Sequence, residues 1–217
     1  YVATGTHFPN KAEIPGEEKA GIAHGVSFLR EANLGRKVEV GENVVVIGGG
    51  STAFDAARTA LRLGAQKVTV LYRRQVEDMP ADPREVREAR EEGIEILPLV
   101  APVEFLGNGR VTGVKCVRME LKGFDDGGRR RPRTVAGSEF VVPADMVIPA
   151  ISQHSDLPFI DRDEVQMTKW GTLVVDKETM MTRKPGVFSG GDVVRGPDVA
   201  IQAIADGKRA ARAIDRF

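Results

Sequence analysis

The chain has 217 residues, of which 41% are hydrophobic and 29% charged, and its 31 basic side chains balance 31 acidic ones. That size and balance give a sizeable core, as one large domain or two small ones, and no net field to recruit nucleic acid or an anionic membrane. The single cysteine, Cys116, excludes an internal disulfide, a CxxC redox pair and an iron–sulfur or zinc site held by cysteines of this chain.

No apolar run approaches the roughly 20 residues that span a bilayer, and no secretory signal opens the chain. With one cysteine, a reducing cytoplasm is the expected location. The opening "YVATGTHFPN" is a β-like run without an initiator methionine, which suggests a piece of a longer protein.

Residues 43–47, "NVVVI", form a short β-branched run, as expected of a strand buried in a parallel sheet. "STAFDAARTALRL" then predicts a helix ending at Gly64, and "KVTVLY" (67–72) the next strand. "DPREVREAREEG" predicts a helix with Asp82 as N-cap, Pro83 at the first position, Glu85 at the third and Gly93 as the stop. "IEILPLV" returns as a strand. The order β-α-β-α-β implies a right-handed parallel α/β sheet.

After residue 100 the period shortens to two. Val117, Met119 and Leu121 alternate with Arg118, Glu120 and Lys122, which predicts an antiparallel meander. "GFDDGGRRRPRTVAG" reads as a polar loop, "SEFVVPADMVIPAI" as the last extended runs, and the tail from Lys184 as strand, glycine turn and helix. The whole is a Rossmann-like α/β fold with an added antiparallel β-meander.

Gly48, Gly50 and Ala53 fit G-x-G-x-x-A between a strand and a helix. Gly48 permits the tight turn, Gly50 lets a pyrophosphate approach the backbone, and Ala53 lets helix and strand pack closely. Gly49 completes the turn, and the N–H groups around Ser51, Thr52 and Ala53 face the phosphates with a partial positive charge. Twenty positions past Ala53, where an NAD site often carries an acid, stand Arg73 and Arg74. Two guanidinium forks suit a 2′-phosphate, so NADP(H) is the expected nucleotide.

The ordered stretches "ATG…IPGE", "GGGSTAFDAAR", "YRR…MPA", "GRRRP…GSEF", "AISQHSD", "WGTLVVD" and "GVFSGGDVV" resemble the pyridine nucleotide–disulfide oxidoreductase superfamily. Within it they are most similar to the small (beta) subunit of NADPH-dependent glutamate synthase and its relatives. The resemblance implies an FAD domain interrupted by an NADPH domain. Residues 1–39 would be the remnant of the first FAD segment, 40–150 the NADP(H) domain and 151–217 the last FAD segment. It places Ala3, Thr4 and Gly5 near the cofactors and Gly191 in the second glycine turn. It gives Asp192 a ribitol hydroxyl, and points the helix N-terminus at Val199 and Ala200 toward the flavin's pyrimidine edge. Ser152 and Gln153 fall where flavin and nicotinamide would meet.

The family commonly reads "AIGQ.PD" where this chain has "AISQHSD", so Ser152 replaces a glycine and Ser155 a proline. The family's first FAD-binding glycine motif does not occur in these 217 residues, nor does a cysteine-rich iron–sulfur segment. The expected parent passes electrons from NADPH through FAD to an iron–sulfur or large-subunit partner, with no side-chain acid or base needed for the hydride step. This chain would chiefly bind NADP(H) and hold FAD weakly or not at all. A nucleotide-binding module without turnover, a disulfide reductase and a reductase for another acceptor are the alternatives. Asp55 is expected in the first turn of its helix, complementing the dipole. His7, His24 and His154 show neither metal-ligand spacing nor a nucleophile partner, so no metal site is expected. Arg129–Arg131 with Arg133 read as a solvated hairpin or interdomain contact, and Trp170 as packed on the final sheet.

Overall fold

The computed structural model describes residues 1–125 and 127–217; Asp126, in the expected polar loop, lies outside the described residues. In chain order the elements are β1 (Phe8–Pro9), α1 (Gly25–Asn33), β2 (Asn43–Ile47), α2 (Ser51–Arg62), β3 (Lys67–Tyr72), α3 (Pro83–Glu91), β4 (Glu95–Pro98) and β5 (Val100–Leu106). There follow β6 (Gly113–Phe124), β7 (Arg130–Thr134), β8 (Phe140–Pro143), β9 (Met146–Pro149), β10 (Gln153–His154), α4 (Asp192–Arg195) and α5 (Ala200–Arg216). A 3-10 turn, Val76–Asp78, sits between β3 and α3. The chain divides into two units, Lys11–Ile151 and Tyr1–Asn10 with Ser152–Phe217.

The central unit is built on a parallel sheet in the order β4-β3-β2-β9. Successive residues of a strand face opposite ways, and here both faces are buried. Val44 and Val46 join Val68, Val70 and Ile148 under the helices, against Phe28 of α1, Ala53, Phe54 and Ala57 of α2 and Val86 of α3. Val45, Ile47 and Leu71 look the other way, onto Phe105, Val114 and Cys116 of the antiparallel strands. Each fully buried valine or phenylalanine contributes about 1.5–3 kcal/mol of transfer free energy, so the strands hold two cores at once. Asp82 caps α3 by accepting the backbone N–H of Arg84, with Pro83 in the first turn.

Residues 11–39 pack within the Lys11–Ile151 unit, because α1 packs on α2 and Ala23 donates its N–H to Val147 O at 3.0 Å. Two expectations are corrected. The expected polar loop after residue 122 is largely a second hairpin. β6 runs to Phe124 and pairs with β7, with Phe124 opposite Arg130 and Glu120 opposite Arg133. And the tail before the second glycine turn is no regular strand among the described residues; Val2 and Ser189 form a single parallel bridge.

The outer unit has a smaller apolar cluster, Leu157, Val165, Leu173 and Val193. β1 and β10 pair antiparallel, Phe8 opposite His154 and Pro9 opposite Gln153, and α5 closes the chain. Among the described residues no helix is long and apolar enough to cross a membrane.

Candidate functional site

The glycine turn joins β2 to α2, and its three glycines answer three different demands. Gly48 has φ +148°, and a Cβ there would meet Ala150 O at 2.5 Å. Gly49 lies on the ring of Tyr72, which a Cβ would approach to 2.6 Å. Gly50 is different. Its backbone is extended, φ −92° and ψ 171°, and only Pro80 Cγ, at 3.9 Å, comes near a built Cβ. Nothing within the protein requires a glycine there, and the space before it suits a ligand pressed close to the backbone. Gly50 is also the N-cap of α2, which has no side-chain cap and no acidic residue in its first turn, so the N–H groups at Ser51, Thr52 and Ala53 meet no carboxylate of their own turn. Asp55 lies one residue past that first turn, which corrects the expectation for it. Burial, then Glu85, pushes its carboxyl above the usual range, the opposite of what a helix dipole does.

The end of β3 leaves the sheet beside this turn, since Ile47 is in register with Leu71 and Gly48 donates its N–H to Leu71 O at 3.1 Å. Tyr72 donates its hydroxyl to Asp78 O at 2.7 Å, and Ala81 donates its N–H to Gly49 O at 3.1 Å. The 73–81 segment thus arches back to the glycine turn. The two arginines at its start part company. Arg73 is exposed and has no side-chain partner among the described residues. Arg74 is 5% exposed; its Nε donates to Arg130 O at 2.9 Å and its Nη2 to Asp125 Oδ2 at 3.0 Å. Of the two guanidiniums expected to grip a phosphate, Arg73 is thus exposed without a side-chain partner among the described residues, whereas Arg74 is tied to the hairpin.

The second hairpin supplies a side of this edge that the sequence did not place. Arg130 Nη2 donates to Gln75 Oε1 at 2.5 Å and to Asp78 Oδ2 at 3.1 Å, so this one arginine of the basic run packs on the segment after β3, while Arg129, Arg131 and Arg133 are exposed. Backbone N–H groups of Arg129 and Gly127, with the Arg129 and Arg74 guanidiniums, hold the Asp125 carboxyl below its ordinary range.

In the outer unit the second turn is fixed by charge. Asp206 of α5 is fully buried. It accepts the Gly191 N–H at 3.0 Å, Arg195 Nε and Nη2 at 2.7 Å each, and Arg209 Nη2 at 2.6 Å. The Arg195 hydrogen bonds, foremost, hold its carboxyl below the usual range. Gly191, at φ +74°, passes the chain into Asp192, which is half-buried at the start of α4. Val199 is the N-cap of α5, without a side-chain cap or an acidic first turn, and Val199 and Ala200 are exposed.

A cavity of about 560 Å³ in this unit is lined by Thr6, Ser152, Gln153, Trp170, Arg195 and Pro197, among others. Thr6 is 5% exposed, yet its hydroxyl has no hydrogen-bond partner among the described residues. A buried hydroxyl left unpaired costs about 1–3 kcal/mol, so Thr6 carries an unmet hydrogen bond in the wall of the cavity. Sequence reasoning missed Thr6, whose only signal was its place after "ATG". Ser152 and Gln153 meet here; Ala3, Thr4, Gly5, Asp192, Val199 and Ala200 do not line the cavity. Ser152 holds φ +75°, a conformation suited to glycine, and Ser155 donates its hydroxyl to Gly5 O at 2.7 Å. Trp170 is 74% exposed with Lys169 over its ring, not packed on a sheet. Among the described residues no cluster of three metal-ligating side chains occurs, and Cys116 is buried, its thiol pushed up to about 12 by burial.

Parallel strands, a glycine turn into a helix and an added antiparallel layer define a Rossmann-like α/β protein. Residues 1–207 match the pyridine nucleotide-disulphide oxidoreductases, and the chain belongs to that family. It is 45% identical over its whole length to the NADP(+)-dependent formate dehydrogenase subunit beta of Moorella thermoacetica, covering 31% of that protein. It is 44% identical to the glutamate synthase [NADPH] small chain of Azospirillum brasilense, again over its whole length and 48% of the relative. The chain thus spans a third to a half of these relatives. The thioredoxin reductase of T. acidophilum superposes with a TM-score of 0.76 at 25% identity, over 98% of this chain and 63% of that one.

Proposed function

We propose that this chain is the NADP(H)-binding unit, with part of the FAD-binding unit, of an NADPH-dependent flavoprotein oxidoreductase similar to the glutamate synthase small chain. The parent passes electrons to a partner subunit or iron–sulfur clusters. One observation carries the nucleotide assignment: the exposed Arg73, with no side-chain partner among the described residues, stands at the edge of β3 beside a glycine turn, with no carboxylate in the "YRRQ" segment to take a ribose hydroxyl. Names of relatives that include NADP or NADPH support the same reading.

In this reading Gly48, Gly49 and Gly50 bring the pyrophosphate to the backbone, Ser51 and Thr52 offer it N–H groups, and Ala53, whose N–H is donated to Gly50 O, closes the first turn behind them. Arg73 meets the 2′-phosphate, while Arg74 acts from within the fold. A charge-assisted pairing is worth about 1.5–3 kcal/mol, enough for tenfold or more preference over NADH. In the outer unit Asp192 accepts a ribitol hydroxyl, the open N-terminus of α5 at Val199 and Ala200 faces the flavin's pyrimidine edge, and Thr6, Ser152 and Gln153 supply polar groups near it. Ala3, Thr4, Gly5 and Gly191 shape the backbone around that end. FAD, when bound, supplies acceptance of an electron pair and its release one or two at a time.

Calorimetric titration of the chain with NADPH and NADH tests the nucleotide assignment: NADPH binds at least about tenfold tighter, and Arg73→Ala removes most of the difference. Equal affinities for the unaltered chain defeat it. Anaerobic addition of NADPH to the parent flavoprotein tests the activity. Loss of the oxidised-flavin absorbance supports the reductase, and an unchanged spectrum favours a nucleotide-binding module without turnover.

A further inference from the structure

The second hairpin is tied to the nucleotide edge by more contacts than a solvated surface loop needs. Arg74 leaves the end of β3 and is buried against the hairpin, donating to Arg130 O and to Asp125 Oδ2. Asp125 is already committed to its own turn through Oδ1, which accepts the N–H groups of Gly127 at 3.1 Å and Arg129 at 2.9 Å. In return, Arg130 reaches across to Gln75 and Asp78. Asp78 closes the loop locally, since its Oδ2 accepts the Gln75 N–H at 3.2 Å while its backbone oxygen accepts the Tyr72 hydroxyl. Tyr72 in turn carries Gly49 on its ring.

These contacts run in one physical chain from the hairpin tip to the glycine turn, and Arg73 sits at its middle. We propose that the tip of the β6–β7 hairpin, residues Asp125 and Arg130, is a positioning element for the choice of NADP over NAD, with Arg74 acting through Asp125 rather than touching the nucleotide. The inference rests on the NADP(H) reading above and deepens it. Arg74 is committed to the hairpin: its Nε and one terminal nitrogen are engaged there and its side chain is 6% exposed. Releasing it toward a ligand breaks both of its ties to the hairpin, to Arg130 O and to Asp125 Oδ2, and leaves Asp125 with Arg129 alone as its cation among the described residues. Arg73 has a single exposed fork whose direction depends on the backbone of residues 72–75. That backbone is held on both sides by Arg74 and by Gln75.

A double-mutant cycle distinguishes positioning from contact. The unaltered chain, Arg74→Ala, Asp125→Asn and the pair together are each titrated with NADPH and NADH by calorimetry, and the ratio of the two affinities is read. Asn at 125 keeps Oδ1 for the turn and removes the acceptor for Arg74, and comparing backgrounds cancels the change of charge. The expected result is that Arg74→Ala lowers the ratio about tenfold in the unaltered chain and by less than about twofold when Asp125 is Asn. An equal loss in both backgrounds makes Arg74 a ligand and overturns the proposal, as does no loss in either. NADH affinity serves as the folding control, since it reports the glycine turn without the 2′-phosphate. If Arg74→Ala does not fold, Arg130→Gln cuts the second tether and leaves Arg74 in place. A ratio lowered about threefold supports the hairpin's role and an unchanged ratio overturns it. An unaltered chain without NADPH preference fails the function reading itself, a result separate from every outcome of the cycle.

Discussion

The two glycine turns look alike in sequence and are held by different physics. The turn at Gly48–Gly50 is fixed by close packing: Tyr72 lies on Gly49, Ala150 on Gly48, and the unit beneath buries both faces of its parallel sheet. The turn at Gly190–Asp192 is fixed by one buried carboxylate, Asp206, with two guanidiniums and a backbone N–H around it. Its unit has a small core and keeps Val199, Ile201 and Ile204 of the last helix region exposed. Packing is insensitive to pH and to salt, whereas a carboxylate cluster responds to pH. The first turn is therefore the rigid one, and the second carries a built-in acid sensitivity.

The sharpest check on the packed side is chemical. Cys116 lies in the second core face of the central unit, and with its thiol pushed up to about 12 it reacts with a thiol reagent near neutral pH about a thousandfold more slowly than in the unfolded chain. Rapid labelling of the folded protein would show that this core face opens.

On the charged side, Asp206→Asn removes the anion shared by two guanidiniums that solvent partly screens, and costs about 1–3 kcal/mol, confined to the outer unit. Hydrogen exchange measures it, with protection lost around Gly191 and kept at Val44–Ile47. Acid acts in the same direction. The Asp206 carboxyl titrates lower when folded than when unfolded. Its stabilisation is therefore complete above the unfolded carboxylate range, about pH 4, and disappears as the pH falls through the folded value. Exchange at Gly191 accelerates on acidification before that of the central sheet.

The remaining effects lie at single backbone positions. Gly49→Ala drives a methyl into the Tyr72 ring and destabilises the central unit by about 1–3 kcal/mol in denaturant titration. Ser152→Gly relieves a left-handed residue and raises stability by about 1 kcal/mol, read as an increase in the melting temperature. A neutral or negative change at Ser152 would mean that its hydroxyl compensates for the backbone.

Local pattern made the parallel sheet legible, because "NVVVI" and "KVTVLY" have no polar face to show and Asp82–Pro83 punctuates α3 unambiguously. The hairpin after residue 122 was half legible: its basic run read as a solvated hairpin or an interdomain contact, while its glycines and aspartates read as a polar loop. Its anchorage was hidden, because the partners Gln75, Asp78 and Arg74 lie far away in sequence. For the same reason Arg73 and Arg74 are indistinguishable as letters. Which one is engaged depends on Asp125, fifty-one residues from Arg74. The packing of residues 11–39 was not legible either, because α1 carries no motif and its place is decided by contact with α2.

A crystal structure of the chain with NADP⁺ tests the central claim most directly. The account predicts the pyrophosphate against Gly50–Thr52 and the 2′-phosphate within ion-pair distance of Arg73, with Arg74 still on Asp125. A nucleotide bound elsewhere, or a 2′-phosphate turned away from Arg73 into solvent, would contradict it.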